Sequence, residues 1–138
     1  VYFPHSLGIF YQSLTQWLGF PHYGDEYKVM GLAPYGKPVY VKMMREIVYL
    51  QNDGSFRLNL DYFRHHREKV EYEWDSGIPK VDTLFSEALI KLLGPTRQKD
   101  QKLTQYHMDI ARSVQVIYEE SFFHLLNKSH QKHNTDNL

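Results

Sequence analysis

Apolar residues recur at helical spacing near the start of the chain, at Leu7, Phe10, Leu14, Trp17 and Leu18. Ser6 stands where a helix N-cap belongs, and Gly19 where the chain must leave the helix. The pattern predicts a helix with one apolar stripe against the core. A short second helix is expected from Gly24 or Asp25 through Glu26, Lys28 and Met30, ended by the turn at Pro34, Tyr35 and Gly36. Beyond Pro38, the spacing of Val41, Met44, Ile47 and Val48 is helical again and runs into Asn52-Asp53-Gly54, a hairpin signal. Phe56, Leu58 and Leu60 then alternate with Arg57 and Asn59, which is the period of a half-buried strand. Its partner is expected at Tyr49, Leu50 and Gln51.

Residues 62–77 are polar and read as an irregular surface segment with Trp74 as its anchor. Residues 82–93 read as a helix capped by Asp82, with Leu84, Phe85, Ala88, Leu89, Leu92 and Leu93 inward, and stopped by Gly94-Pro95. After a polar loop, residues 103–130 carry the longest helical pattern, with Ile110, Val114, Ile117, Tyr118, Phe122 and Leu125 as its stripe; such a helix runs roughly 40 Å. There is no internal repeat or low-complexity linker. The expected fold is helix-dominated α+β with one short hairpin, as a single unit over residues 1–138.

Composition narrows the function more than the fold. The 138 residues are 42% hydrophobic and 23% charged, as in globular domains, so a disordered chain is excluded. Sixteen basic residues balance sixteen acidic ones. That leaves no long-range field for nucleic acid or an anionic membrane. The absence of cysteine rules out disulfides, thiolate metal sites and cysteine nucleophiles, and fits a reducing cytoplasm, where the protein is expected. No apolar run approaches the roughly 20 residues of a membrane span. Eleven tyrosines, each with an apolar ring and a hydroxyl, suit a cleft or a wet interface. The chain opens on Val1 and closes on Asn137-Leu138, and the expectation is a segment of a longer protein.

The most unusual stretch is GDEYKVMGLAPYGKP, residues 24–38. Its second half falls one residue short of G-x-x-x-x-G-K-[ST], the loop that cradles phosphates. Pro38 stands where the magnesium-binding hydroxyl belongs and Pro34 removes a backbone N–H, so a P-loop is rejected. Glu26 and Lys28, two apart, leave a helix on different sides, so one of them can face a ligand while Val29 and Leu32 face the core. A compact structural turn is the competing reading. His65, His66 and Glu68 lack the spacing of a zinc helix and read as a solvated face, while His124, His130 and His133 suit the negative end of the last helix. Asp109 lies about 15 Å along that helix from Glu119 and Glu120, too far for two carboxylates acting on one bond. It is open to either structural pairing or ligand contact.

Three phrases, FPHSLGIFY (residues 3–11), GDEYKVMGLAPYG (24–36) and DIARSVQVIYE (109–119), closely resemble the O-carbamoyltransferases of the nodulation and antibiotic-tailoring type. The resemblance covers essentially the whole chain. It implies a parent α/β fold of the actin, sugar-kinase and heat-shock-protein-70 superfamily, ribonuclease-H-like, of which this segment is the middle part of the larger domain. It implies an enzyme that makes carbamoyl-adenylate from carbamoyl phosphate and ATP and passes the carbamoyl group to a hydroxyl of a small-molecule acceptor.

By the same resemblance Glu26 and Lys28 lie by the nucleotide. His5, at a helix N-terminus, and Arg97 are the further candidates to reach its phosphate. By the resemblance the divalent metal takes its ligands from an H-x-x-x-H pair before Val1 and an acid after a Gly-Gly phosphate loop that follows Leu138, so the metal-binding and phosphate-loop parts lie outside residues 1–138, no metal ligand is assigned here and the segment alone is expected to be inactive. The remaining expected partners are the rest of the parent chain and a second copy of the protein. Two alternatives stand beside this reading: a non-catalytic helical scaffold whose exposed aromatic residues dock on neighbouring segments, and a histidine-rich metal binder.

Overall fold

The computed structural model describes residues 1–75 and 77–134. The chain runs α1 (Leu7–Trp17), α2 (Glu26–Leu32), a 3-10 turn (Ala33–Tyr35), α3 (Val41–Ile47), β1 (Val48–Leu50), β2 (Phe56–Leu58), a second 3-10 turn (Leu60–Tyr62), β3 (Tyr72–Asp75), β4 (Ile78–Val81), α4 (Glu87–Leu93) and α5 (Gln105–His133). The architecture is helix-dominated α+β with two short antiparallel hairpins, β1–β2 and β3–β4.

Helix α1 is the centre of the core. Ser6 accepts from the Ile9 amide at its start, and Gly19 takes φ +83° just past its end, as the sequence requires. Its apolar stripe is buried completely at Phe10, Leu14 and Trp17, and Leu18 joins them. Each such side chain stabilises the fold by about 1.5–3 kcal/mol. The burial extends round to Tyr11, Gln12, Ser13 and Thr15, so other elements cover the helix on several sides. Ser13 and Thr15 satisfy their buried hydroxyls by donating to carbonyls four residues back.

Around α1, helix α5 packs against α2, α3 and the 3-10 turn that follows α2. Thr104 and His107 form its capping box, and Asn134 ends it in the left-handed conformation. Ile110, Val114 and Ile117 are buried as expected; Tyr118 and Leu125 are half-buried and Phe122 is 41% exposed, so the apolar stripe leaves the core after Ser121.

The structure corrects three expectations. Val48 is a strand residue, and β1 pairs with β2 in the register Val48↔Leu58, Tyr49↔Arg57 and Leu50↔Phe56, while Leu60 passes into the 3-10 turn. Within residues 62–77, Tyr72–Asp75 pairs with Ile78–Val81 as a second hairpin; Trp74 stands 77% exposed on it and anchors nothing among the described residues. Its alternation of Glu71, Tyr72, Glu73 and Trp74 was masked by charge.

The fourth helix starts five residues late, because Leu84 and Phe85 are buried in extended backbone, where Phe85 bridges Phe63 and Leu84 accepts from Arg64. Ser86, not Asp82, is its cap, and its hydroxyl also donates to the Asp61 carbonyl. Asp82 instead accepts from the Glu71 amide and closes the base of the hairpin.

Candidate functional site

The stretch at residues 24–38 folds as α2, the 3-10 turn and an extended exit that lies across the start of α5. Gly36 explains its closeness. A Cβ built there would stand 1.9 Å from the Met108 carbonyl oxygen, so only glycine lets the two backbones meet. Asp109 then accepts from the Lys37 amide at 2.7 Å, and Gln105 donates to both Asp109 and the Tyr35 carbonyl. The Lys37 amide and Gln105 hold the Asp109 carboxyl below the usual carboxylate range. Of the two roles open to Asp109 in the sequence, the structure shows pairing within the fold.

With its exit fixed in this way, α2 presents Glu26 and Lys28 in different directions. The Lys28 ammonium lies 2.6 Å from Asp25 and 5.7 Å from the ring centres of both Phe20 and Tyr27. Its bond to the Asp25 carboxylate raises the Lys28 pKa. Asp25 is itself buried and held by the His22 amide. The i,i+3 spacing of Asp25 and Lys28 was the available signal for this pair. Lys28 is therefore engaged by Asp25, not by Glu26.

Glu26 turns the other way. It is half-buried, and no hydrogen bond or ion pair reaches its carboxylate among the described residues. Its neighbours are set by α1 and α5: Tyr11 donates to Gln115 at 2.8 Å, and Gln115 donates to Glu119 at 2.8 Å. Burial first, then the charges of Tyr118, Glu119 and Glu26, push the Tyr11 phenol far above its ordinary range. Nothing in the sequence marked Tyr11, Gln115 and Glu119 as a group, because they come from helices about a hundred residues apart.

Arg97 is 9% exposed and holds the backbone by three bonds at 2.9 Å, donating to the carbonyls of Leu18, Lys99 and Gln101. Its guanidinium lies 5.3 Å from the centre of the Phe20 ring. Lys28 and Arg97 thus meet around one aromatic ring beyond the C-terminal end of α1. His5 is at the other end of that helix, on the order of 16 Å away along the axis. There its Nδ1 accepts from the Leu58 amide, and it lines a cleft of about 470 Å³ with Phe3, Pro4, Ile9, His65 and Leu84. Burial, then Arg57 and His65, lower the His5 pKa from 6.5, so its imidazole is neutral at pH 7.

The histidine pair does not form a solvated face. Both ring nitrogens of His66 and Nδ1 of His65 are buried without a hydrogen-bond partner, while His65 Nε2 donates to the Pro4 carbonyl; only Glu68, paired with Arg64, is exposed as expected. Among the described residues no group of three or more metal-ligating side chains gathers. No described helix is long and apolar enough to cross a membrane.

Comparison with known proteins agrees with these phrases. The chain matches the family described as "Carbamoyltransferase N-terminus" over residues 1–138. It belongs to that family. An uncharacterized protein of Synechocystis sp. is 38% identical over 140 residues, with all of this chain and 21% of that protein covered. Nodulation protein NolO of Bradyrhizobium diazoefficiens is 33% identical over 93% of this chain and 19% of its own length. Nodulation protein NolNO of Sinorhizobium fredii is 32% identical over 88% of this chain and 14% of its own. The chain spans about a fifth or less of the length of these relatives.

Proposed function

We propose that the protein transfers a carbamoyl group to a hydroxyl of a small-molecule acceptor, and that residues 1–138 form one wall of its nucleotide cleft. The donor is carbamoyl-adenylate, made from carbamoyl phosphate and ATP, and the parent fold is the α/β fold of the actin and sugar-kinase superfamily. Family membership supports the transferase reading, and the observation that carries the nucleotide assignment is Glu26. A half-buried carboxylate with no partner among the described residues has both oxygens left to accept from a ligand. A ribose diol suits it, since two hydroxyls donate to two carboxylate oxygens. Lys28, held by Asp25 between two rings, supplies positive charge beside the same helix.

A carbonyl joined to a phosphate is already activated. The protein's tasks are to hold donor and acceptor in register, exclude water and stabilise charge on the phosphate and carbonyl oxygens. Arg97 serves these tasks by fixing the backbone at the end of α1. The exposed Tyr27, Met30 and Tyr35 on and after α2 fit a surface covered by further polypeptide.

The test is Glu26→Gln in the intact protein, read by ATP titration calorimetry and by carbamoyl transfer from carbamoyl phosphate. Loss of one charge-assisted hydrogen-bond pair weakens ATP by about tenfold, with the folded fraction unchanged. Unchanged ATP affinity in a folded variant overturns the assignment.

A further inference from the structure

A second concave surface lies beyond the C-terminal end of α1, where Gln16 and Gly19 line it. It is a cleft of about 380 Å³ between β4 and the turn at residues 96–99, lined among others by Lys80, Thr83, Thr96, Arg97 and Lys99. Three cations face it against one carboxylate, Asp82, whose Oδ2 is already taken by the Glu71 amide. Glu73 lies opposite Lys80 in the strand register but forms no ion pair with it, and Lys99 has none either among the described residues.

Arg97 is the unusual member. The residue is 9% exposed, and its three hydrogen-bond partners among the described residues are neutral carbonyls, so no carboxylate balances its charge. A guanidinium has five N–H donors, and these bonds use three. The backbone bonds hold the fork rigid while two donors stay uncommitted. A fixed, weakly hydrated guanidinium in one cleft with two exposed lysines and two threonines matches a tetrahedral oxyanion with several acceptor oxygens.

We infer that this cleft binds a phosphoryl anion, with Arg97 as the fixed contact and Lys80 and Lys99 closing over it. The inference rests on and extends the nucleotide reading above, since Arg97 and Lys28 both approach the Phe20 ring.

The test titrates pyrophosphate and, separately, adenosine into the intact protein and into a Lys80→Ala, Lys99→Ala double variant. A Lys42→Ala, Lys132→Ala variant, which removes two exposed cations elsewhere, is the control. Removing two charges within contact distance raises the pyrophosphate Kd about tenfold or more and flattens its salt dependence, while adenosine binding is unchanged. The control stays within twofold. No pyrophosphate binding by the unaltered protein at millimolar concentration, a double variant within twofold of it, or equal weakening in the control each overturns the inference. Loss of adenosine binding on Glu26→Gln alone reports on the nucleotide reading and leaves this cleft unaffected.

Discussion

Gly36→Ala tests whether residues 24–38 owe their glycines to packing. The added Cβ falls 1.9 Å from the Met108 carbonyl oxygen, 2.3 Å from its carbon and 2.8 Å from the Asp109 nitrogen. All three are backbone atoms inside α5, so no side chain can rotate away. Relief requires the extended exit and α5 to separate by about an ångström, and overpacking of this kind costs about 1–3 kcal/mol. Separation also lengthens the Asp109 bond to the Lys37 amide and the Gln105 bond to the Tyr35 carbonyl, for about another 1–2 kcal/mol.

Gly31 provides the internal comparison, because nothing lies within 4 Å of its virtual Cβ and it sits inside α2. Gly31→Ala is therefore expected to be neutral or stabilising by up to about 1 kcal/mol. Urea unfolding followed by fluorescence of the buried Trp17 reads both variants, and hydrogen exchange at the start of α5 locates the damage. Equal midpoints for Gly36→Ala and Gly31→Ala would refute the close-packing account.

Two further outcomes follow from the corrected elements. Ser86→Ala removes the true cap of α4 and the bond to the Asp61 carbonyl, and costs about 1–2 kcal/mol in urea unfolding. Burial, then Arg67 and His65, lower the His66 pKa from 6.5, so its proton-linked stability is fully present above pH 6.5 and is lost as pH falls through the lower folded value. His5 and His107 act in the same direction, and NMR titration of the three imidazoles should place their midpoints below 6.5.

What the sequence showed and what it hid divide along a physical line. Local signals were readable: the Ser6 cap, the Gly19 exit, the Asp53-Gly54 turn and the period of α1 all act within a few residues. The β3–β4 hairpin was hidden because neither Tyr72 nor Trp74 is buried, so its alternation is aromatic against acidic and not apolar against polar. Leu84 and Phe85 misled in the opposite sense, since two adjacent buried residues fit the start of a helix as well as an extended crossing. From spacing alone Glu26 and Lys28 could be read only as leaving α2 on different sides, and the nucleotide role came from the resemblance. The roles of Arg97 and Gln115 depend on carbonyls and carboxylates brought together by tertiary packing, which no spacing rule reports.

The resemblance of GLAPYGKP to a phosphate loop can now be resolved residue by residue. A P-loop needs its glycines so that successive amides can turn toward phosphate. Here Gly36 lets the extended exit touch α5, and the Lys37 amide, which a P-loop would turn toward phosphate, is bonded to Asp109. The Lys37 amide of this turn is committed to the fold, so the nucleotide reading proposed above turns on side chains of the helix before it. The proposed nucleotide contact therefore rests on Glu26, half-buried and without a partner among the described residues, while Gly36 serves the packing.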